Sequence, residues 1–315
     1  MTDFEKLKSI FVKNQKCIVN SDLDGLLSGL LLQEFLNWEI VGFSSCAGKP
    51  DDEIWLKDDN IKINECVFVD LPVAVKNITI IDQHFVAVDR QHLERYNNCD
   101  NKINPNIMRE KLFVNDKGYC EYTQKYPFGT AHFIIACLEQ LKIIPDDYKI
   151  DFFKKIENFD LCDLLFRADC VIGNTNNYTK NCLDWADWLI NLGGQLTTNL
   201  FSIVKSEYNK RSYNEKLVEQ KLKNLGCLRA DGDCSNMLRS KNYALLKQYF
   251  DFLANSLNMQ TLPIFDLLDF NKLNGRRLDV AGTALDQNKN QLTLPNTFSY
   301  AFVTMKTLSI CFYLI

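Results

Sequence analysis

The chain has 315 residues, of which 46% are hydrophobic and 24% are charged, a composition ordinary for a soluble globular protein. No apolar stretch reaches the roughly 18 residues of a membrane span, and the acidic start MTDFEKLKSI lacks the apolar core of a signal peptide, so we expect a cytoplasmic protein without membrane contact. The net charge of −4 is unevenly spread: residues 191–315 hold 15 Lys/Arg and 10 Asp/Glu, and the first 190 residues hold 21 and 30. An acidic front half suits metal-binding carboxylates, and a basic back half suits a phosphate-bearing ligand.

Short apolar runs that alternate with longer segments predict an α/β fold in the first part of the chain. The predicted elements are the strand KCIVNS, the helix GLLSGLLLQEFLNW, and the strands EIVGFSS, ECVFVD and NITIIDQH. Continuous Val/Ile runs are typical of parallel strands that are buried on both faces, and the intervening segments are long enough for crossover connections. We therefore expect a mainly parallel sheet flanked by helices.

Helical periodicity dominates the middle of the chain, and a second α/β pattern follows it. The predicted helices are TAHFIIACLEQL, YKIDFFKKIENFDLCDLLF, CLDWADWLINLGG and the charged connector YNEKLVEQKLKNLG, which ends at Gly226. After the connector we predict a helix (YALLKQYFDFLANSL), a strand (LPIFDLLDF), a helix (RRLDVAGTAL) and two strands (SYAFVTM and LSICFYLI). The predicted organisation is a first domain at residues 1–205, a helical connector at 206–235 and a smaller α/β domain at 236–315.

The cysteines and histidines limit the kind of metal site. The twelve cysteines are scattered, without a CxxC pair, which favours free thiols in a reducing compartment over disulfides or a zinc site. The chain has three histidines, His84, His92 and His132. A site for several metal ions must therefore rely mainly on carboxylate and amide oxygens, which favours Mg²⁺ or Mn²⁺ over zinc.

Three predicted strands end in acidic residues. Asp22 and Asp24 follow the first strand, Asp70 follows ECVFV, and Asp82 follows NITII together with His84. The carboxyl ends of neighbouring parallel strands form a crevice, where bound divalent cations relieve the repulsion among carboxylates. A calcium loop fits worse, because its twelfth position would be a leucine, which cannot ligate an ion. An acidic turn that caps a helix explains one such segment but not three.

Several segments, taken in order along the chain, resemble motifs of the DHH phosphoesterases. NSDLDG, VFVDLP and IIDQHF resemble the first three motifs of that family, and IENFDLCDLLF resembles the fourth. KINPN, followed by YPFGTAHFIIACLEQL, resembles the asparagine-proline segment and the next helix of the RecJ-like exonuclease branch. The segments from LPIFDLLDF onward resemble the start of the DHHA1 substrate domain. The resemblance implies two Mn²⁺ or Mg²⁺ ions and hydrolysis of a phosphodiester or phosphoanhydride.

The resemblance assigns four carboxylates to the metal ions. Asp22 and Asp24 would each bind one ion, and Asp70 would bridge the two ions. Asp160 would complete the second site. Two ions held in this way activate a water molecule and clamp a phosphate for in-line attack.

The resemblance also places residues around the substrate. His84 would contact the substrate phosphate, and Asp82 would support the loop that carries His84. Asn104 and Thr130 would line the cleft. A turn residue before Pro105 is an equally good interpretation of Asn104.

Two positions and the C-terminal segment depart from the family pattern. Asn20 stands where the RecJ-like motif has an acid, and Gln83 stands where the family has a histidine ligand. Both offer an amide oxygen but no charge, and Gln83 offers no imidazole, so we expect weaker metal binding. The family's glycine-rich substrate loop would begin where this sequence stops. Either another surface binds the substrate, for example Arg276, Arg277 and the basic connector, or the protein is truncated or partly inactive.

The sequence predicts a cytoplasmic, metal-dependent phosphoesterase that hydrolyses single-stranded nucleic acid or short oligonucleotides. A first alternative is hydrolysis of a small phosphate compound, namely a cyclic dinucleotide, a nanoRNA or pyrophosphate, because a polymer needs a basic track lined by aromatic residues. A second alternative, favoured by Asn20, Gln83 and the short C-terminal segment, is a non-catalytic DHH scaffold. Such a scaffold would bind a nucleotide or nucleic acid, or assemble with a partner.

Overall fold

A computed structural model describes the fold over most of the chain. The described residues are 1–45, 53–112, 124–152, 155–156, 159–161, 164–165, 176–207, 215–228, 231–259, 271–274, 276–281, 297–304 and 307–312. The chain in these ranges forms ten α-helices and twelve β-strands. None of these helices is long and apolar enough to cross a membrane.

Helices and strands alternate in the first part of the described chain. The helices are α1 (Asp3–Ile10), α2 (Leu23–Leu36), α3 (Arg90–Asn97), α4 (Pro105–Met108), α5 (Thr130–Gln140), α6 (Asn176–Leu192), α7 (Gln195–Glu207), α8 (Glu215–Asn224), α9 (Ser235–Arg239) and α10 (Tyr243–Ser256). The strands are β1 (Lys16–Asn20), β2 (Glu39–Ser44), β3 (Glu53–Leu56), β4 (Val67–Val69), β5 (Thr79–Ile81), β6 (Lys102–Ile103), β7 (Lys155–Ile156), β8 (Phe159–Asp160), β9 (Asn271–Asn274), β10 (Arg276–Ala281), β11 (Thr297–Thr304) and β12 (Thr307–Phe312). The strands predicted at KCIVNS, ECVFVD and NITIIDQH are present as β1, β4 and β5.

The largest sheet has seven strands in the order β6-β5-β4-β1-β2-β3-β9. β4 is parallel to both β1 and β5, and β5 is parallel to β6. β3 is antiparallel to both β2 and β9. The predicted α/β fold with a mainly parallel sheet is therefore confirmed.

The parallel strands are buried on both faces, as their Val/Ile runs predict. Ile18, Phe68 and Ile80 belong to one apolar cluster, and their neighbours Val19 and Val69 are equally buried. Since successive side chains of a strand point to opposite faces, apolar residues cover both sides of β1 and β4. Burial on both faces fixes the position of these strands in the sheet and therefore of the residues that follow them.

His92 in α3 is a buried histidine in an aromatic environment. Its ring lies edge-on to the rings of Phe85 and Tyr96, at centroid distances of 5.5 and 5.2 Å, and its Nδ1 accepts a hydrogen bond from the N–H of Val88 at 3.4 Å. Burial lowers the pKa of His92 to about 4. The acceptor role of Nδ1 and the apolar surroundings both require a neutral ring.

The low pKa of His92 makes the stability of the fold dependent on pH. Below about pH 6.5 His92 binds a proton in the unfolded chain but not in the folded protein. The free energy of unfolding therefore falls as the pH drops from about 6.5 to about 4, by about 3 kcal/mol in total. Replacing His92 by glutamine keeps an acceptor but removes this titration. Urea denaturation between pH 7 and pH 4.5 should show a smaller loss for His92→Gln than for the wild type, and parallel losses would contradict the prediction.

The chain divides into two compact units. One contains residues 1–20, 40–126 and 271–315, and the other contains residues 21–39 and 127–270. The divisions fall at positions different from the predicted boundaries at residues 205 and 235. The predicted connector helix, α8, lies within the second unit.

The second unit contains α2 as a buried helix. Eleven of its fourteen residues are buried, as expected for a helix that is apolar on all sides, and it contacts α5 and α10. At the end of α5 the carboxylate of Glu139 accepts hydrogen bonds from the N–H groups of Gly194, Leu196 and Thr197. These donors lie at the start of α7, where a negative charge stabilises a helix.

The charged helix predicted before Gly226 is present as α8. Gly226 has a φ of +87°, a left-handed conformation that glycine adopts without strain. The N–H of Leu225 donates to the carbonyl of Lys221, and the N–H of Cys227 donates to that of Leu222. These bonds satisfy carbonyls of the last turn, which is how a glycine after a helix ends it.

Two segments predicted as helical contain strands. Within YKIDFFKKIENFDLCDLLF, β7 pairs with β8 in antiparallel orientation. RRLDVAGTAL contains β10, which is antiparallel to β12, and β12 is antiparallel to β11. Only residues 277–280 of β10 alternate between polar and apolar, which is the period of a strand, and this stretch is too short to exclude a helix from the sequence. β11 and β12 confirm the predictions for SYAFVTM and LSICFYLI, whereas the predicted strand LPIFDLLDF lies outside the described residues.

The cysteines within the described ranges are free thiols. Six of these seven are buried, and Cys99 is partly exposed. Burial raises the pKa of the Cys137 and Cys234 thiols well above the usual value. A thiol with a raised pKa stays protonated and unreactive, which is consistent with the free thiols predicted from the sequence.

Candidate metal centre

Four polar residues form a row at the carboxyl edge of the parallel strands. Val19 of β1 and the last residues of β4, β5 and β6 are paired in register across the sheet. The residue that follows each of them is polar, and in the order of the sheet these residues are Asn104, Asp82, Asp70 and Asn20. The edge therefore presents two carboxylates flanked by two amides.

Asp70 has an unusual backbone conformation. Its φ is +61°, in the left-handed region where aspartate and asparagine are tolerated better than most residues. Its N–H donates to the carbonyl of Ile81 at 2.8 Å, and its side chain is fully buried. Its Oδ2 accepts a hydrogen bond from the side-chain amide of Asn20 at 3.2 Å. The two neighbouring strands thus hold Asp70 at the sheet edge, β5 through its backbone and β1 through its carboxylate.

His84 brings an imidazole next to the two carboxylates. Its Nδ1 lies 2.9 Å from Oδ1 of Asp82 and 3.5 Å from Oδ1 of Asp70. One potential ligand atom from each of these three residues lies within 4.8 Å of the others. The His84 side chain is 19% exposed, whereas both carboxylates are fully buried. His84 is therefore the member of this group that reaches solvent.

The neighbours of His84 define which ring nitrogen carries the proton. Because Asp82 accepts at Nδ1, the proton of the neutral ring lies on Nδ1, and Nε2 keeps a lone pair. The amide nitrogen of Gln83 lies 3.0 Å from Nε2 and donates to that lone pair. The Gln83 side chain is buried, so it occupies the direction in which Nε2 would bind a ligand.

Asp82 is held by several donors in addition to His84. Its Oδ2 accepts from the N–H of Phe85 at 2.8 Å and from the side-chain amide of Asn104 at 3.2 Å. The other end of the Asn104 amide caps α4 by accepting from the N–H groups of Asn106 and Ile107. Asp82 therefore orients the imidazole, as a carboxylate commonly does for a metal-binding histidine, and Asn104 positions Asp82.

Lys102, the first residue of β6, is a buried lysine whose amine lies near the amino end of β5. Its Nζ donates to the carbonyl oxygens of Val73, Val75 and Ile78 at 3.3, 2.6 and 2.5 Å. Burial lowers the pKa of Lys102 to about 7, although the negative charge of Asp82 opposes this shift. Lys102 thus connects the start of β6 to the backbone of residues 73–78.

Asn106 also contacts the segment that carries His84, and the sequence reasoning missed it. Its side-chain nitrogen donates to the carbonyls of Gln83 at 2.8 Å and Phe85 at 3.2 Å, and its side-chain oxygen accepts from the N–H of Tyr126 at 2.7 Å. The sequence does contain a signal for Asn106, because it is the second asparagine of KINPN and lies two residues after Asn104.

Asp22 and Asp24 lie at the start of α2, in the second unit. Asp22 is the N-cap of α2, and its Oδ1 accepts from the N–H of Gly25 at 3.0 Å. Asp24 is buried, and its two oxygens accept from the N–H groups of Thr130 at 2.6 Å and Ala131 at 2.9 Å. Asp24 thus stabilises the N-terminus of α5, and Thr130 contacts it through its backbone.

An acidic loop that the sequence reasoning did not select holds the turn before α2. Asp233 accepts hydrogen bonds from the hydroxyl of Ser21 at 3.0 Å and from the N–H of Ser235 at 2.9 Å. The N–H of Leu23 donates to the carbonyl of Asp231 at 2.9 Å. Since 212 residues separate Ser21 from Asp233, no local pattern pointed to this contact.

The remaining candidates lie in strands of the two smaller sheets. Asp160 is the last residue of β8 and pairs with Lys155. Arg276 and Arg277 begin β10, opposite Phe312 and Cys311 of β12. Their predicted roles in metal and phosphate binding remain predictions.

The side chains at the sheet edge could hold a metal ion. Asp70 supplies a carboxylate, His84 an imidazole, and Asn20 and Gln83 amide groups whose oxygens are hard ligands. Two buried carboxylates in one edge repel each other, and a cation would remove that repulsion.

No protein-family model, curated protein or solved structure matches this chain at a significant level.

Proposed function

We propose that the protein is a metal-dependent phosphoesterase that hydrolyses phosphodiester bonds in single-stranded nucleic acid or short oligonucleotides. The group of Asp70, Asp82 and His84 supports this proposal. Ligands of open α/β sheets bind at the carboxyl ends of the strands, and this group offers three potential metal ligands there. The motif resemblance points to the same chemistry and adds Asp22 and Asp24 as proposed ligands.

Mn²⁺ or Mg²⁺ is the cofactor that these donors fit. Asp70 and His84 would hold an ion at the sheet edge, and the resemblance assigns a second ion to the site. Divalent ions supply an acidified water and neutralise charge on the phosphoryl oxygens during hydrolysis. Zinc fits less well, because the described site has one imidazole and no thiolate.

The residues of the chain orient the reacting groups in this proposal. Asp82 holds the proton of neutral His84 on Nδ1, which leaves Nε2 as a metal ligand. If His84 instead donates a hydrogen bond to the substrate phosphate, Nε2 must also carry a proton. The ring is then positively charged and lies next to the carboxylates of Asp82 and Asp70. Either role requires Gln83 to turn its amide away from Nε2, where it lies in this structure at 3.0 Å.

A non-catalytic scaffold that binds a nucleotide or nucleic acid is the second candidate. It is favoured by the hydrogen bonds among the side chains at the sheet edge. Asn20 donates to Asp70, Gln83 to His84, and His84 to Asp82. A network that satisfies its own polar atoms is stable without a metal ion. Neither Asn20 nor Gln83 contributes the negative charge that increases metal affinity.

A turnover assay separates these functions. Labelled single-stranded DNA, RNA dinucleotides, cyclic dinucleotides and pyrophosphate are incubated with the full chain in Mn²⁺, Mg²⁺ or EDTA. Metal-dependent cleavage of the DNA supports the proposal, and cleavage confined to RNA dinucleotides, cyclic dinucleotides or pyrophosphate identifies a small-molecule hydrolase. If no substrate is cleaved while nucleic acid or a nucleotide still binds, the scaffold is the better description.

Replacing Gln83 by histidine should increase the affinity for Mn²⁺. An imidazole is a stronger ligand for Mn²⁺ than an amide oxygen, so we expect about a tenfold gain, which corresponds to about 1.4 kcal/mol. Calorimetric titration of the wild type and Gln83→His with Mn²⁺ measures the change. An unchanged affinity, together with an Asp70→Ala variant that also binds as the wild type does, would show that no metal site exists there.

A further inference from the structure

We infer that Asn106 is a positioning residue for His84, because it binds the backbone on both sides of the histidine. Its side-chain nitrogen donates to the carbonyls of Gln83 and Phe85, the residues immediately before and after His84. The two protons of an amide NH₂ group lie in one plane and point in fixed directions. The two bonds therefore fix the separation and the orientation of these carbonyls, and with them the direction in which the His84 side chain leaves the backbone.

Asn106 is itself held firmly enough to serve as this reference point. It is fully buried, its side-chain oxygen accepts from the N–H of Tyr126, and its own N–H donates to the side chain of Asn104. Asn104 in turn donates to Asp82, which binds the His84 ring. One connected set of hydrogen bonds thus fixes both the backbone and the ring of His84.

Loss of the Asn106 amide would release the backbone that carries His84, whereas Asp82 would keep its bond from Asn104. The freed carbonyls of Gln83 and Phe85 would turn toward new donors, because a buried acceptor without a hydrogen bond is unfavourable. The Nδ1–H of His84 would no longer be aligned with Asp82, and the ring would exchange between its two tautomers. For metal binding, the consequence rests on the proposed function; for the tautomer of His84 it does not.

Asn101 offers a matched control within the same unit. Its side-chain nitrogen also bridges two backbone carbonyls, those of Lys76 at 2.8 Å and Ile78 at 3.1 Å. Asn101 precedes β6, at the amino end of the strands and thus at the edge opposite His84. Asn101→Ala therefore removes the same kind of contact without touching the segment of residues 82–85.

Nitrogen NMR of the histidine rings in the metal-free protein tests the positioning role. The chain has only three histidines, and a His84→Gln variant identifies the signals of His84. We expect the wild type to show the Nδ1–H tautomer at His84, Asn106→Ala to shift its ring nitrogens toward the average of both tautomers, and Asn101→Ala to leave them unchanged. Wild-type His84 signals in folded Asn106→Ala would overturn the proposal, as would an equal shift in Asn101→Ala.

Titration with Mn²⁺ tests the consequence for metal binding. We expect Asn106→Ala to lower the affinity about tenfold or more, the usual effect of removing a group that orients a ligand, and Asn101→Ala to change it less than about twofold. If the wild type binds no Mn²⁺, the proposed function fails, and the NMR result still decides the positioning role. Tenfold weaker binding with an unchanged His84 tautomer would overturn that role.

A second variant guards against misfolding of Asn106→Ala. Asn106→Asp has the same shape and keeps the oxygen that accepts from Tyr126, but it places an oxygen against the carbonyls of Gln83 and Phe85, so the same shift at His84 is expected. If neither variant folds, hydrogen-bond couplings in the wild type decide. Couplings from the Asn106 side-chain nitrogen to both carbonyl carbons support the role, and their absence overturns it.

Discussion

Replacing Asp70 by asparagine should abolish metal-dependent turnover and leave the fold intact. Asparagine tolerates the left-handed backbone conformation of residue 70 as well as aspartate does, so the φ of +61° adds no strain. It can still accept the hydrogen bond from Asn20, but it removes the carboxylate that we propose as a metal ligand. We expect the affinity for Mn²⁺ to fall about a hundredfold or more, which corresponds to about 2.7 kcal/mol.

The stability of Asp70→Asn distinguishes a metal ligand from a structural carboxylate. In the metal-free protein the substitution removes one of the two carboxylates at the sheet edge and with it the repulsion from Asp82. The free energy of unfolding should therefore stay the same or rise. Asp59→Asn is the control, because Asp59 lies on the exposed surface of the same unit. Calorimetry and urea denaturation with and without Mn²⁺ provide both measurements. Unchanged Mn²⁺ affinity combined with lower stability would mean that Asp70 serves the fold alone.

Replacing Asp24 by asparagine should have the opposite effect on stability. Both oxygens of Asp24 accept backbone hydrogen bonds at the start of α5, and its side chain is buried. An asparagine places an NH₂ group against one of these N–H donors and removes the charge that stabilises the helix N-terminus. Since a buried hydrogen bond to a charged group contributes about 1.5–3 kcal/mol, we expect a loss of about 3 kcal/mol.

Asn242→Ala is the control for Asp24→Asn. Asn242 caps α10 in the same unit through a single bond to the N–H of Leu245, at 3.2 Å and exposed to solvent, so its loss should reduce stability by about 1 kcal/mol. Urea denaturation of both variants without metal measures the difference. A loss for Asp24→Asn no larger than that for Asn242→Ala would contradict the capping role. A gain in stability would indicate that the Asp24 carboxylate is destabilised by neighbouring acids, as expected of a metal ligand without its ion.

Those parts of the fold that depend on local patterns were predictable from the sequence. β1, β4 and β5 are short Val/Ile runs that end in polar residues, and α2 and α5 have apolar residues throughout. The pairing of β9 with β3 was not predictable, because NKLN has no apolar pattern and its partner lies more than 200 residues away in the sequence. β10 was mistaken for a helix because polar and apolar residues in RRLDVA fit both periods over so short a segment.

The candidate site was predictable to the extent that it lies at the ends of strands. Asp70, Asp82 and His84 follow buried runs, so their meeting at one edge follows from the parallel sheet. The contacts of Asn106 and of Asp233 could not be predicted, because they depend on loops brought together by the fold. The capping role of Asp24 was equally hidden, since its partners at the start of α5 are more than 100 residues away.

The row of residues at the sheet edge has a consequence for how this site can change during evolution. Asparagine and aspartate codons differ by one base, as do glutamine and histidine codons. The two amides at the ends of the row, Asn20 and Asn104, can therefore each become a carboxylate through a single base change, and Gln83 can become a histidine in the same way. Asn20 ends β1 and Asn104 directly follows β6, so either change to aspartate would add a negative charge beside the Asp70 or Asp82 carboxylate that the amide now contacts. If the edge binds a metal ion as we propose, its affinity is thus open to gradual selection, one nucleotide at a time.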